Sequence, residues 1–329
     1  MPGLGGRAGP YAGPGGRAHR AAGRAWQGGG VLEADPLTRV IAAVAAAALI
    51  AAFIVRARQK DRRQFRRFRR YRSTVKRQQM MRRWLIESLV LFGLTGAAIL
   101  IATRDYVEPL LVATQQLAPV AAVRAWLSGG IGIGLIIATL TAIAILTVVG
   151  VRSARKEGGV IVVGDIAALL PRNRPELGWG AALSVNAGVS EELLFRLALP
   201  ALLVIVTGEP LSAFGLAALV FGLLHAYQGP VGVVVTTLIG LAFTVVYVLS
   251  GSILLVMALH ALFDLRTLVI IPAAVYRVHT VPGSVRFPKP LPLAPRTIDE
   301  PADGAQPADG AADADASDAP RASDDAPAS

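Results

Sequence analysis

The sequence predicts an all-α protein, a polytopic bundle of about seven transmembrane helices with disordered N- and C-terminal tails. Of the 329 residues, 53% are hydrophobic and only 17% are charged, proportions far from those of a soluble domain. The apolar residues fall in runs long enough to cross a bilayer, whereas both ends of the chain are rich in Gly, Ala, Pro or Asp. We therefore expect a multi-pass protein of the cell membrane.

Composition divides the chain into five segments. Residues 1–38 are rich in Gly, Ala and Arg, and residues 273–329 in Pro, Ala and Asp. Both are predicted to be disordered because they have too little apolar surface to offset the entropy of ordering. Residues 39–83 hold a short first span and a basic cytoplasmic loop, residues 84–178 hold membrane spans with connecting loops, and residues 179–272 hold the last spans.

Seven apolar runs are the predicted membrane helices. They are residues 40–55, 85–102, 127–149, 177–206, 211–227, 231–249 and 253–271. The first is shorter than the roughly 17 to 25 residues of a spanning helix, and a cleaved signal peptide is its alternative interpretation. Arg56 and Arg58 stand where a small-residue cleavage site should be, which favours an anchor. Gly251 should break the chain between the last two helices, and Pro272 should end the second of them.

A dense basic segment lies between Arg56 and Arg83, and Asp61 is its sole acidic residue. Lys and Arg beside apolar spans are typical of the cytoplasmic side of a membrane. We therefore expect a cytoplasmic loop that binds anionic lipid from Arg56 to Arg83. The net charge of +11 does not indicate nucleic acid binding, because the basic residues concentrate beside apolar spans.

The strongest functional signal is a set of ionisable residues inside the apolar runs. A charge at the bilayer centre costs about 2.5–3.5 kcal/mol even on a lenient scale, so such residues are generally functional and face one another. Cysteine is absent, which excludes a thiol nucleophile and thiolate metal ligands. The residues are Glu191, Glu192, Arg196, His225, His260 and Asp264.

Their spacing predicts helical pairs. Glu192 and Arg196 are four residues apart, so they share a helix face and form an ion pair. Glu191 lies about 100° around the same helix and is left free to face a cavity and bind water. On the last helix His260 and Asp264 also share a face, where Asp264 fixes the imidazole tautomer or has a role of its own.

Together the motifs E-E-x-x-x-R, F-x-x-x-H and H-x-x-x-D, in this order on successive helices, resemble the CPBP family of intramembrane proteases. This family includes the CAAX prenyl endopeptidases and the Abi bacteriocin-processing or immunity proteins. The resemblance implies that residues 179–272 are a catalytic core. It implies an endopeptidase that cuts membrane-associated, including CAAX-type prenylated, proteins or peptides, with its active site toward the cytoplasm.

The resemblance also implies roles for individual residues. Glu191 would be the general base that activates a water molecule, and His225 would help to hold that water. His260 and Asp264 would polarise the scissile carbonyl, although members of the family often have Asn at the position of Asp264. The supporting residues would be Glu192, Arg196 and Phe221.

Two questions stay open at the level of sequence. No cofactor is expected, yet Glu191, His225 and His260 are residues of the types that could hold zinc with an open position for water. The alternative function is a proton-coupled or ion transporter, because Glu, His and Asp chains inside helices also form proton relays. The absence of an internal repeat favours the protease.

Overall fold

The computed structural model describes residues 32–128, 131–157 and 167–283, and these residues contain helices and no strand. The long helices are α1 (Pro36–Arg70), α2 (Thr74–Gln115), α3 (Ala118–Ser128), α4 (Ile131–Glu157), α5 (174–207), α6 (Pro210–Leu224), α7 (Gly229–Ser250) and α8 (Ile253–Tyr276). The all-α prediction is confirmed. Most of the two predicted disordered tails lies outside the described residues.

The described residues contain four helices that are long and apolar enough to cross a membrane, namely α1, α2, α7 and α8. Helix α6 is apolar but shorter. All seven predicted spans overlap a helix, yet seven crossings are not confirmed. The carboxylates and guanidinium of Glu191, Glu192 and Arg196 lower the hydropathy of α5, because charged side chains are the least apolar residues.

Helices extend a few residues into both predicted tails. Helix α1 begins at Pro36, after Asp35, whose carboxylate accepts a hydrogen bond from the backbone N–H of Thr38 at 3.0 Å. Helix α8 continues to Tyr276, so the prediction that Pro272 ends it is wrong. A wide turn at Arg266–Ile270 precedes the proline. Pro272 therefore stands in the first turn of a restarted helix, where a missing N–H is tolerated.

The basic segment, predicted to be a loop, is helical except at residues 71–73. Helix α1 continues through a wide turn at Ala57–Asp61 into the basic stretch Arg62–Arg70. In this stretch Phe65 and Phe68 are buried, whereas the arginines are exposed. The apolar residues recur every three residues, which gives the helix one face that packs against the protein.

Helix α5 is the centre of the bundle. Its last part, Leu199–Thr207, is apolar on all sides and almost entirely buried, as expected of a helix surrounded by protein. This part packs against α1, α2 and α6, whereas the first half packs against α8 and α2. Helix α5 ends at Gly208, whose φ of 69° is the left-handed conformation that terminates helices. The motif from Glu191 to Arg196 therefore lies in the middle of the central helix.

A fully buried ion pair fastens the start of α5 to α2. The Nε of Arg77 lies 3.0 Å from Oε2 of Glu176, and both side chains have 0% exposure. Thr74 and Asn173 donate to the second carboxylate oxygen, and the remaining nitrogens of Arg77 donate to carbonyls within 168–170. Arg77 is therefore not available to bind lipid, although the basic segment as a whole is predicted to do so.

Replacing Arg77 by Met should destabilise the protein by about 3–5 kcal/mol, because the substitution leaves Glu176 as a buried, unpaired charge. The double variant R77M/E176Q should recover part of this loss, since it removes both charges. Chemical denaturation in detergent, followed by Trp fluorescence, measures both effects. Equal stability of R77M and the wild type would contradict the assigned role of the pair.

Candidate active site

The residues that the sequence predicts to be catalytic enter one cavity of about 560 Å³ from three helical segments. Glu191 reaches it from α5, and His225 reaches it from the residue that follows α6. His260 and Asp264 line it from α8. The four residues that the sequence predicts to be catalytic therefore share one cavity.

Glu192 is buried beside the cavity and forms the ion pair that its spacing predicts. Its Oε2 lies 3.0 Å from Nε of Arg196, and both side chains have 0% exposure. The guanidinium makes no hydrogen bond to another described residue. It lies instead over the rings of Phe221 and Phe243, at 5.3 and 5.9 Å from their centroids, where the faces of the rings attract a cation.

Glu192 also joins α5 to α8. Its Oε1 accepts a hydrogen bond from Nδ1 of His260 at 2.7 Å. Because an ionised carboxylate only accepts, Nδ1 carries a hydrogen and Nε2 is the nitrogen left for the cavity. Asp264 lies 3.8 Å from Nε2, which is too far for a hydrogen bond. Glu192, rather than Asp264, therefore sets the tautomer of His260.

The tautomer of His225 is set by its own helix. Its Nδ1 lies 2.9 Å from the backbone oxygen of Phe221, and a carbonyl oxygen can only accept, so Nδ1 carries the hydrogen. The Nε2 atom is then an acceptor. The centroid of the Phe221 ring lies 4.8 Å from that of His225 and 6.1 Å from that of His260.

Glycines allow the close helix contacts that the site requires. A Cβ atom on Gly188 of α5 would lie 2.7 Å from the backbone oxygen of Met257 and 2.8 Å from Cβ of Ala261, both in α8. A Cβ on Gly222 of α6 would overlap Thr237 of α7. Small residues let helix backbones approach closely, and here they bring His260 within reach of Glu192.

Residues of the basic segment also line the cavity. This contribution was not predicted from the sequence. Glu87 on α2 pairs there with Arg83, Lys60 and Arg56, at distances of 2.7, 2.9 and 3.0 Å. Other residues on which the site depends also carried no sequence signal. These are Phe65 and Tyr227, which line the cavity with their rings 5.5 Å apart, and Phe243, 5.2 Å from the ring of His260.

The three residues that the sequence offers as zinc ligands line the same cavity. Among the described residues, no three His, Asp or Glu side chains are grouped closely enough to hold a metal ion. The Nδ1 atoms of both His225 and His260 are engaged, by a carbonyl oxygen and by Glu192, which leaves the two Nε2 atoms as the nitrogens that a ligand in the cavity could reach. Zinc binding by Glu191, His225 and His260 stays a prediction.

Comparison with known proteins identifies this part of the chain. Residues 173–266 match the family model described as type II CAAX prenyl endopeptidase Rce1-like. The match begins at the residue that caps α5 and ends in α8, so it includes every residue of the predicted site. No curated protein and no solved structure matches the chain.

The glycine at the contact between α5 and α8 offers a matched test of the site's geometry. Gly188→Ala should lower the thermal midpoint in detergent, because the added methyl group overlaps the backbone of α8. Gly178→Ala, in the same helix but with no neighbouring atom within 4 Å, should stabilise the protein by roughly 0.5–1 kcal/mol. Equal midpoints for the two variants would show that α5 and α8 are not in close contact.

Proposed function

We propose that this membrane protein, which belongs to the CAAX prenyl endopeptidase family through residues 173–266, cuts membrane-associated proteins or peptides by means of a glutamate-activated water molecule. CAAX-type prenylated chains are the substrate class that the family indicates. The active site would open toward the cytoplasm, on the side of the basic segment.

One observation carries the proposal: Glu191, His225, His260 and Asp264 come from three different helical segments and line one cavity. The rest of the cavity wall is largely apolar, with aromatic and aliphatic side chains from α1, α2 and α8. Polar groups in such surroundings interact more strongly than in water. An apolar wall would also accept an apolar substrate chain.

The reaction would begin with a water molecule between Glu191 and His225. Glu191 would remove a proton from it while Nε2 of His225 accepts its second hydrogen. The resulting hydroxide would add to the scissile carbonyl carbon. Transfer of the proton from Glu191 to the amide nitrogen would then allow the C–N bond to break, which releases an acid and an amine. General base catalysis of this kind typically contributes about 10²- to 10⁴-fold in rate.

His260 would stabilise the oxyanion that forms on the carbonyl oxygen. When protonated, its Nε2–H can donate to that oxygen, and the carboxylate of Glu192 at 2.7 Å from Nδ1 stabilises the imidazolium. Arg196 pairs with the other oxygen of this carboxylate at 3.0 Å. A single donor to an oxyanion contributes about 10²- to 10³-fold in rate.

Glu191→Gln should abolish cleavage of an internally quenched, farnesylated CAAX peptide, because the amide has the shape of the carboxylate but cannot accept a proton from water. Glu209→Gln is the matched control, since Glu209 is exposed in the turn between α5 and α6 and should leave the rate unchanged. Both variants should unfold at the wild-type temperature. Cleavage that persists in Glu191→Gln would refute the mechanism, and substrate flux without cleavage would favour a transporter.

Substitutions at Asp264 show whether this residue acts as a hydrogen-bond donor to the oxyanion or whether its negative charge is required. Asp264→Asn supplies an N–H group and should retain at least the wild-type rate if this residue donates to the oxyanion. Asp264→Leu supplies none and should lose about 10²- to 10³-fold in kcat. An Asn variant as slow as the Leu variant would mean that the charge of Asp264 is required.

A further inference from the structure

The basic stretch Arg62–Arg70 of α1 has two opposite faces with different neighbours. At about 100° per helical residue, Phe65 and Phe68 share the face that is buried in the protein. The opposite face is exposed and carries four arginines over about 10 Å. We call this face the arginine stripe, and its members are Arg63, Arg66, Arg67 and Arg70. None of the four forms an ion pair with another residue that the structure describes.

The stripe holds positive charge that the helix itself opposes. Arg63 with Arg67, and Arg66 with Arg70, are like charges four residues apart, a spacing that destabilises a helix. An anion bound along the stripe relieves this repulsion, and a guanidinium binds phosphate oxygens through paired hydrogen bonds. The stripe is therefore a surface that fits a partner with several phosphate groups.

The position of the stripe in the chain indicates lipid as that partner. The stripe follows the apolar part of α1, Pro36–Arg56, and α1 is long and apolar enough to cross a membrane. Basic residues at the end of such a helix lie at the level of the headgroups, where a negatively charged leaflet attracts them. Because the buried face of the helix is occupied by protein, the attraction is electrostatic and involves no insertion between acyl chains.

The buried face of the same helix contacts the turn that carries a predicted catalytic residue. The rings of Phe65 and Tyr227 lie 5.5 Å apart in the cavity wall, and the ring of Tyr227 lies 5.9 Å from that of His225. Nη2 of Arg62 donates a hydrogen bond to the backbone oxygen of Ala226 at 3.3 Å. The basic stretch thus connects the arginine stripe to residues 225–228, which we call the His225 turn.

We propose that the arginine stripe binds the phosphate groups of anionic lipid, and that the bound helix holds the His225 turn in place. The charge of the surrounding lipid is then a regulator of the site, because it acts through Phe65 and Tyr227 on the position of His225. The binding surface and its contact with the turn do not depend on the proposed endopeptidase function. The effect of lipid on the cleavage rate rests on that function.

The first measurement is lipid binding by the full chain in neutral detergent, followed by native mass spectrometry. The wild type should bind phosphatidylglycerol more tightly than phosphatidylcholine. The double variant R63Q/R67Q should bind phosphatidylglycerol about tenfold to thirtyfold more weakly, the loss expected for two arginines at a charged surface. R104Q/R124Q, which removes the same charge from α2 and α3, should keep the wild-type affinity.

The second measurement is hydrogen exchange of the His225 turn in nanodiscs of phosphatidylcholine alone or mixed equally with phosphatidylglycerol. The N–H of Gln228 donates to the oxygen of His225 at 2.9 Å, so its exchange reports opening of the turn. Phosphatidylglycerol should slow this exchange about threefold to tenfold in the wild type and not in R63Q/R67Q. Phe65→Ala should bind the lipid normally and lose the slowing, because its contact with Tyr227 is removed.

Several results would overturn the inference, and none of them requires that the protein cleave a peptide. Equal affinity for the two lipids, or an equal loss in R63Q/R67Q and R104Q/R124Q, would mean that the stripe is not a specific lipid surface. Displacement of phosphatidylglycerol by an RNA oligonucleotide would assign the stripe to another partner. Exchange of the His225 turn that does not respond to phosphatidylglycerol would show that lipid does not act on the site.

Discussion

The rest of the site depends on the carboxylate of Glu192, which has one partner on its own helix and one on another. A buried carboxylate without partners is strongly unfavourable, so the fold must bring both Arg196 and His260 to it. Arg196 is four residues away on α5, whereas His260 comes from α8 at 2.7 Å. This contact fixes the relative position of the two helices.

Glu191, the neighbour of Glu192, faces the cavity because Glu192 faces inward. Adjacent helical residues point about 100° apart, so one glutamate is engaged by buried partners and the other is directed into open space. Gly188, one turn earlier, permits the close contact of α5 with α8. The same arrangement thus gives Glu192 its buried partners and directs the carboxyl group of Glu191 toward a largely apolar cavity.

The sequence predicted contacts within one helix and the convergence of the ionisable residues, but not which residues of different helices are in contact. Spacing alone gave the ion pair of Glu192 with Arg196. For the tautomer of His260 it offered only Asp264, as one of two possible roles of that residue, because only residues on the same helix face could be paired. The charge of the basic segment was clear, but its place as a wall of the cavity depends on how α1 and α2 pack.

A single cysteine on α5 tests most directly whether the convergent groups face a water-filled cavity. The chain contains no cysteine, so Ala187→Cys, on the cavity wall, and Val189→Cys, 48% exposed on the outside of the bundle, would each carry a unique thiol at similar depth. In native membranes a charged methanethiosulfonate reagent should modify the first and not the second. An unreactive Ala187→Cys, or equal modification of both, would contradict the account.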